Sequence, residues 1–535
     1  MKYVAVFMGV VGIVDIAVYG AVFNWPFVVL AVFCLCALGW VVYRYIWLAR
    51  PVVETVQGWR LGGGVDVSNP ELTTRVGEII LEKDILDLGF LSVGSPKSGK
   101  TMSSGIGYMH YLVNLEKEQQ KPIGFCWSDG KGNLDVYQAA EAAGIHFDRF
   151  FSSELPHSHT TNIFEGDAED VIDRSIRVLI NETEGSGQFY ADEQRKALNI
   201  LIRLVKSLDV NTSYQDLFVA FTVEGAAFEL LKRAKESDVD LVDYHLAEQW
   251  LAQDMKTRVN QISGMLNRLF LFVTGPTAER LNDYDPDIVF SDAIKTGQKL
   301  YFHLPLTKIA KDIGILFTEM WGVEARKRQQ EGNMTDTYPL LFDDWGGFFH
   351  DNVGAITARI RSAQMPPSYS FQDDSYLDEV TPTFKKQLEN NIAVKMLFRL
   401  NGSMAAHDLA PMMGEYHSTT LGVSDFEGRD GVNFNAMLQP RIDHDDLLSL
   451  NKGQAYVMTI NERSGQSEPG YYCVQFPLVE MHNPQSIHWP KPEKERSKWG
   501  LGFWDRYMNP EEIAKIQQAV KDALLDQLKK EEAMV

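Results

Sequence analysis

A short glycine-rich segment constrains the fold of this chain more than any other part of the sequence. Residues 94–101 are Gly-Ser-Pro-Lys-Ser-Gly-Lys-Thr. They follow a short apolar run, Phe90–Val93, and precede a helical pattern that extends from Thr101 to Glu116. The spacing G-x-x-x-x-G-K-[ST] is that of the Walker A loop, which joins a strand to a helix and binds phosphate. The sequence therefore predicts a nucleotide site in an α/β fold.

Each residue type in this loop has a chemical role. The glycines let backbone N–H groups turn toward phosphate oxygens, and the N-terminus of the following helix adds partial positive charge. We expect Lys100 to bridge the β- and γ-phosphates of ATP and the Thr101 hydroxyl to bind Mg²⁺. The predicted nucleotide-binding residues are Gly94, Ser95, Pro96, Lys97, Ser98, Gly99, Lys100 and Thr101.

A Walker A loop needs a carboxylate partner at the end of another apolar strand. The best candidate follows the apolar run Tyr338–Phe342, where Asp343 and Asp344 stand together. We expect Asp343 to hold Mg²⁺ through water and Asp344 to accept the proton of the water that attacks the γ-phosphate. The alternative interpretation is an ordinary acidic turn after a strand.

A second polar cluster, Asp129–Gly132, follows the predicted strand Pro122–Trp127. Ligands of α/β proteins collect at the carboxyl ends of strands. The cluster is therefore either a further contact to nucleotide or Mg²⁺, or a plain glycine turn.

The first 50 residues contain two long apolar runs, Tyr3–Phe23 and Phe27–Leu48, separated by Asn24-Trp25-Pro26. At ~1.5 Å per residue, each run is long enough to cross a hydrocarbon core of ~30 Å as a helix. Residues 3–48 are thus predicted to form a transmembrane hairpin in the lipid bilayer. A cleaved signal peptide is less consistent, because its apolar region is shorter and no second run follows at once. Basic residues flank the outer ends and predict that both are cytoplasmic: Lys2, Arg44 and Arg50.

Composition excludes several classes of protein. The chain has 535 residues, of which 45% are hydrophobic and 23% charged. These values exclude a mainly disordered chain, a collagen-like chain and a transporter built only of lipid-facing helices. The net charge of −21 excludes a generally basic nucleic-acid coat, although a local basic lining remains compatible. The 4 cysteines lack CxxC spacing, so we predict neither a disulfide framework nor a zinc site.

Secondary-structure patterns predict four parts. Residues 1–50 form the hairpin, and residues 51–180 and 275–485 form one discontinuous nucleotide-binding domain in which strands and helices alternate around a parallel-rich sheet. Residues 181–274 show long helical patterns and are predicted to be an all-α insertion domain. Residues 486–535 are predicted to be a linker followed by a helix from Pro510 to Glu532.

Within these parts we predict individual elements. The insertion shows long helical patterns such as Phe189–Leu208, Tyr214–Lys235 and Leu241–Leu271. Later strands are predicted at Lys299–Leu304, Ala393–Arg399, Gln454–Ile460 and Tyr471–Phe476. The run Gly62–Gly64 is interpreted as a loop that leaves the membrane segment.

Taken together, these features resemble the type IV secretion coupling proteins, the membrane ATPases of bacterial conjugation. The shared order is a transmembrane hairpin, a Walker A loop, a helical insertion, a Walker B carboxylate and a strand that ends in glutamine. Four segments carry local similarity to the family: Asp129–Gly132 to its Asp-Pro-Lys-Gly turn, 161–164 to its Asn-Pro-Leu segment, 371–377 to its strand-end glutamine and following helix, and 453–458 to its late glycine-turn strand.

The sequence also departs from the family pattern. The acidic pair is Asp343-Asp344 rather than Asp-Glu, so the shorter side chain of Asp344 would have to lie closer to the attacking water to act as its base. Residues 345–348 are Trp-Gly-Gly-Phe instead of the more usual Phe-x-x-Leu-Gly. The tail after Pro484 is short, which is inconsistent with a large acidic partner-binding domain at this end of the sequence.

The resemblance implies further site residues in a RecA-like motor domain. Gln372 would sense the γ-phosphate and orient water without adding charge. Arg361, on the predicted helix Val353–Ala363, would act as an arginine finger on the nucleotide of a neighbouring subunit, with Arg359 as the alternative. A finger that acts in trans requires a ring of subunits.

The resemblance also implies a function. The chain would be an ATPase of the bacterial inner (plasma) membrane, multi-pass, with both ends and the soluble domains cytoplasmic. It would bind ATP and Mg²⁺, form a homohexamer, and drive single-stranded DNA with its bound relaxase and relaxosome toward type IV secretion channel components. The alternatives are a double-stranded DNA translocase of the same motor class and an ATP-gated docking receptor for secreted proteins.

Overall fold

The computed structural model describes residues 58–180, 187–237, 240–332, 334, 336–372, 386–387, 390–426, 429–463, 466–477, 479, 487–492, 500–511, 514–515, 518 and 521–522. The predicted hairpin of residues 3–48 lies outside these residues, as does most of the predicted C-terminal helix. Among the described helices, none combines the length and apolar character needed to cross a bilayer. The chain divides into two compact units, Met1–Gly58 and Trp59–Val535, and the architecture below is that of the second.

A large mixed sheet runs through this unit. The strands are β1 (Gly58–Asp66), β2 (Thr74–Glu82), β3 (Phe90–Val93), β4 (Phe125–Asp129), β5 (Arg149–Ser152), β6 (Lys299–His303), β7 (Leu340–Asp343), β8 (Pro367–Phe371), β9 (Val394–Phe398), β10 (Glu415–Phe426), β11 (Arg429–Pro440), β12 (Gln454–Arg463) and β13 (Gln466–Gln475). The main sheet has 11 strands in the order β2-β1-β13-β12-β9-β3-β8-β7-β4-β6-β5, and β10 pairs separately with β11. From β9 to β5 every neighbour is parallel, whereas β12 is antiparallel to β9 and to β13.

Helices fill the connections. They are α1 (Lys83–Leu86), α2 (Gly107–Gln119), α3 (Asp135–Ala142), α4 (Ala168–Leu179), α5 (Gly187–Lys206), α6 (Tyr214–Thr222), α7 (Glu224–Glu236), α8 (Leu241–Leu251), α9 (Met255–Val273), α10 (Gly275–Leu281), α11 (Phe290–Thr296), α12 (Lys308–Glu331), α13 (Val353–Ser362), α14 (Ser403–Leu409), α15 (His444–Ser449) and α16 (Phe503–Tyr507). The described chain between β5 and β6 contains α4 to α11, so helices dominate the region where the insertion was predicted.

Alternate residues of the parallel strands enter two different hydrophobic cores. On β4, Phe125 and Trp127 pack in one core and Cys126 in the other. On β6, Tyr301 enters the first core, whereas Leu300 and Phe302 enter the second. A strand buried on both faces has a continuous apolar sequence, which is the pattern that predicted these strands. The prediction of an α/β fold with a parallel-rich sheet is therefore confirmed.

Two of the long helices predicted in the insertion are broken in the structure. The pattern Tyr214–Lys235 forms α6 and α7, because Val223 between them has an extended backbone with φ −119° and ψ 111°. The pattern Leu241–Leu271 forms α8 and α9. Asp254 caps α9 by accepting a hydrogen bond from the Thr257 amide. An aspartate at this position stabilises a new helix start even within a continuous apolar pattern.

The prediction of a loop at Gly62–Gly64 is wrong, because these residues lie within β1. A Cβ atom at Gly62 or Gly64 would lie 2.4 Å from the carbonyl oxygen of Gln475 or Cys473, respectively, on the adjacent β13. The glycines therefore permit close approach of two strand backbones. The strands β1, β2, β5, β10 and β11 were not among those predicted from the sequence.

Candidate nucleotide site

The order of the parallel strands brings several loops to one edge of the sheet. In the register of the sheet, Val93 at the end of β3 pairs with Phe371 and Leu397. Asp343 at the end of β7 pairs with Asp129 and Ser370. Because carboxyl ends of parallel strands meet at the same edge, the segments after β3, β4, β7 and β9, together with Gln372 after β8, border a common crevice.

The Walker A loop is shaped by glycine and by contacts to neighbouring strand ends. Gly99 has φ +96°, and a Cβ atom there would lie 2.7 Å from the Gly453 nitrogen. Gly453 in turn donates its amide hydrogen bond to the Ser98 carbonyl at 2.8 Å. The Ser95 amide donates to the carbonyl of Arg399 after β9 at 3.0 Å. The loop then enters a π-helical turn, Thr101–Ile106, that continues into α2.

Lys100 is buried at the base of this loop. Only 6% of the residue is exposed, and its Nζ makes no hydrogen bond to any described atom. The Oδ1 atom of Asp344 lies 3.7 Å away. Burial lowers the pKa of Lys100 and outweighs the opposing effect of Asp343 and Asp344. An ammonium group without hydrogen-bond acceptors is costly to bury, so its placement fits a site for an anionic ligand such as phosphate.

Asp343 and Thr101 place side-chain oxygen atoms that could coordinate a metal ion beside Lys100. Thr101 Oγ1 lies 3.3 Å from Asp343 Oδ2, and Ser370 Oγ donates to Asp343 Oδ1 at 2.7 Å. Burial by itself would raise the pKa of Asp343, but the charges of Lys131 and Lys100 outweigh it and hold the pKa below its usual range. An ionised carboxylate and a hydroxyl are ligands that suit Mg²⁺. The residues present therefore fit this metal ion.

Asp344 has a strained backbone. Its φ of 50° and ψ of 39° lie in the left-handed region, which non-glycine residues rarely adopt. Gly130 after β4 permits this turn to approach, since a Cβ atom there would lie 2.6 Å from the Asp344 carbonyl oxygen. Strain of this kind persists where the surrounding structure requires it and concentrates at functional sites.

Lys131 belongs to the site, although it was not among the predicted site residues. Its Nζ lies 2.8 Å from Asp343 Oδ2, 3.1 Å from Thr101 Oγ1 and 3.7 Å from Asp344 Oδ2. Burial lowers the pKa of Lys131, but the two aspartates outweigh it and raise the pKa above its usual value. Of the two interpretations of Asp129–Gly132, these contacts support a site cluster over a plain turn. The sequence feature that could have identified Lys131 is its position two residues after an aspartate at the end of a predicted strand.

Asp129 differs from Asp343 in its protonation. It accepts hydrogen bonds from the Lys131 amide at 2.8 Å and from the Tyr301 hydroxyl. Complete burial, together with the charge of Asp343, raises the pKa of Asp129 to about 8. Asp129 is therefore mostly a neutral carboxylic acid at pH 7.

The structure places Gln372 and Arg361 near opposite ends of β8: Gln372 at the carboxyl end and Arg361 at the amino end. Gln372 is exposed and follows directly after β8, at the edge that carries the Walker A loop. Arg361 lies in the last turn of α13, where its Nη1 donates to the Asn391 carbonyl at 2.9 Å. Because α13 leads into the amino end of β8, Arg361 lies away from the Walker A loop of its own chain. Arg359 is in the same helical turn, and the roles of both arginines stay predictions.

No family model matches the sequence, and no curated protein does. Solved structures that are similar to the chain include three of one protein, each at 14% sequence identity. The bacterial conjugative coupling protein TrwBdeltaN70, in its unbound monoclinic form, has a TM-score of 0.52 and covers 76% of this chain and 89% of its own. Plasmid coupling protein TrwB with the non-hydrolysable ATP analogue ADPNP has a TM-score of 0.51 and covers 81% and 97%. TrwB with ADP and Mg²⁺ has a TM-score of 0.50 and covers 78% and 90%. The described chain therefore has the fold of the bacterial conjugative coupling protein TrwB.

Proposed function

We propose that this chain is an ATP-hydrolysing motor of bacterial conjugation. The observation that carries the proposal is the convergence of Lys100, Thr101, Asp343 and Asp344 at the carboxyl edge of a parallel sheet. TrwB, which shares the fold, was crystallised with an ATP analogue and with ADP and Mg²⁺. Nucleotide and Mg²⁺ also suit Lys100, Thr101 and Asp343 of this chain.

The geometry supports a division of roles among these residues. Lys100 and the Walker A amides would hold the phosphates, and Thr101 and Asp343 would hold Mg²⁺, which neutralises charge on the transferring phosphoryl group when bound. Asp344 would accept the proton of the attacking water, and Gln372 would orient that water. These assignments follow from burial and charge: Asp343 is buried and ionised, whereas Asp344 is partly exposed toward the crevice.

The wider proposal concerns assembly and substrate. The position of Arg361, away from its own Walker A loop, supports a finger that acts on a neighbouring subunit in a homohexamer. We propose residues 51–180 and 275–485 as the motor domain, residues 181–274 as the insertion domain, and residues 3–48 as a hairpin in the inner membrane. The ring would drive relaxase-bound single-stranded DNA toward a type IV secretion channel, with both ends of the chain cytoplasmic.

The test is the ATPase rate of the full-length chain in membranes, measured without DNA, with single-stranded DNA and with double-stranded DNA. We expect single-stranded DNA to raise the rate most, and Lys100→Ala to abolish hydrolysis under every condition while the variant stays folded. Stronger stimulation by double-stranded DNA would instead indicate a double-stranded DNA translocase. Indifference to DNA, together with stimulation by a secreted protein, would indicate a docking receptor.

A further inference from the structure

We propose that the Lys131 ammonium group takes the place of Mg²⁺ in the nucleotide-free protein, so that metal binds only together with nucleotide. This inference rests on the proposed nucleotide-binding function. Lys131 Nζ contacts Asp343 Oδ2 at 2.8 Å and Thr101 Oγ1 at 3.1 Å. These are the two side chains that would hold Mg²⁺. A single cation position is therefore filled by a cation of the chain itself.

The charges of the site support this interpretation. Two ammonium groups face the two carboxylates: Lys131 Nζ lies 2.8 Å from Asp343 and 3.7 Å from Asp344, and Lys100 Nζ lies 3.7 Å from Asp344. A bare divalent cation would add two positive charges beside both lysines and would have to displace Lys131 without compensation. A metal–nucleotide complex brings excess negative charge, which offers Lys131 new acceptors when it leaves Asp343. The site should therefore reject free metal and accept the complex.

The local structure allows Lys131 to move without disturbing its surroundings. Its side chain is 27% exposed, whereas that of Asp343 is 1% exposed. The backbone on either side is fixed: the Gly130 amide donates to the Asp343 carbonyl at 3.0 Å, and the Lys131 amide donates to Asp129 Oδ1 at 2.8 Å. A rotation of the side chain alone can thus move the ammonium from the metal position toward the crevice.

The experiment measures binding of Mn²⁺ to the full-length chain without nucleotide, by electron paramagnetic resonance. The Mn²⁺ bound at this site is defined as the bound fraction that is lost in the Asp343→Asn variant. We expect none in the wild-type protein at sub-millimolar Mn²⁺, and a gain in affinity of about tenfold or more in Lys131→Met, because a unit positive charge next to the metal position is gone. Lys131→Arg keeps the charge and should behave like the wild type.

A matched control is Lys121→Met, since Lys121 pairs with Asp336 where both side chains are 54% exposed. This variant should bind Mn²⁺ as the wild type does. If thermal melting shows that Lys131→Met is not folded, Lys131→Gln is used instead. The inference is overturned if the wild-type protein binds Mn²⁺ without nucleotide and Asp343→Asn abolishes that binding, or if a folded neutral variant gains no affinity. A parallel titration of wild-type protein with MgATP separates the two ideas, because absence of MgATP binding would contradict the proposed function itself.

Discussion

At the scale of single residues, charge compensation decides the role of each ionisable group in the crevice. Burial lowers the pKa of Lys100, which has no hydrogen-bond partner among the described atoms, whereas two aspartates raise the pKa of Lys131. Asp343 is held ionised by both lysines, and Asp129 is held neutral by burial. The site therefore combines a buried ammonium group that lacks a hydrogen bond, suited to phosphate, with an ionised carboxylate suited to metal.

The two aspartates of the pair should respond differently to substitution. Asp343→Asn removes a metal ligand, so we expect weaker ATP binding in the presence of Mg²⁺. Asp344→Asn leaves that ligand in place, so ATP should bind and remain unhydrolysed. Equilibrium binding of a fluorescent ATP analogue and single-turnover hydrolysis separate the two effects. If Asp344→Asn loses affinity as severely as Asp343→Asn, this division of roles is wrong.

The protein should tolerate replacement of Asp129 by asparagine, its neutral isostere. Because its pKa is raised to about 8 in the folded chain, Asp129 binds a proton that the unfolded chain releases near its usual pKa of about 3.8. Its contribution to the free energy of unfolding is therefore largest at low pH and falls as the pH rises from about 4 to about 8. We expect Asp129→Asn to remove this part of the pH dependence.

Chemical denaturation of the wild type and of Asp129→Asn at about pH 5 and about pH 8 measures the effect. The wild type should lose more stability between the two values than the variant does. Asp129→Leu serves as a comparison, since it leaves the Lys131 amide and the Tyr301 hydroxyl without their acceptor and should destabilise at both values. Identical pH dependence in the wild type and Asp129→Asn would contradict a neutral Asp129.

At the scale of elements, buried polar contacts determine where helices end and what attaches to them. Asp216 lies in the first turn of α6 and is fully buried. It forms a capping box with Ser213, accepts from the Tyr284 hydroxyl at 2.9 Å and from the Phe503 amide at 2.8 Å. The same carboxylate thus starts a helix and holds α16 against the helical region.

Asp216→Ala should release the segment around α16. The substitution leaves several buried donors unsatisfied, at about 1–3 kcal/mol each, so we expect the chain to lose several kcal/mol of stability in the helical region. Limited proteolysis should then cleave near residues 500–508 well before the sheet is attacked. Asp209→Ala is the matched control, because Asp209 is exposed on the same region. Equal protease resistance in both variants would show that other contacts hold α16.

At the scale of the whole molecule, the opposite placement of Gln372 and Arg361 bears on assembly. Gln372 follows the carboxyl end of β8, on the side of the Walker A loop, and the end of α13 lies near the amino end of β8. One chain therefore supplies a phosphate site and, at a distance from it, a cationic side chain that its own site does not use. Subunits arranged in a ring would bring the two together.

Arg361→Ala tests this arrangement. The variant should bind ATP and assemble normally, yet hydrolyse slowly, since arginine fingers in trans contribute on the order of 10³–10⁵ in rate. Mixing it with Lys100→Ala should restore some activity, because an intact Walker A loop from one variant can meet an intact Arg361 from the other. The measurement is the ATPase rate across mixing ratios, with Arg359→Ala as control. No recovery despite verified subunit exchange would indicate Arg359 or a residue acting in cis.

Contiguous motifs were sufficient for the Walker A loop and for most of the parallel strands, although not for β5. Residues 94–101 carry their own strand, turn and helix signals, and strands buried on both faces have unbroken apolar sequences, so local sequence determined both. By contrast, Lys131 and Ser370 meet Asp343 only because β7 lies between β4 and β8 in the sheet. Lys131 is 212 residues from Asp343 along the chain, and no local pattern specifies which strands become neighbours. The sequence by itself thus determined the phosphate-binding loop and the fold class, whereas tertiary structure decided the charge balance of the site, because that balance depends on distances between residues remote in sequence.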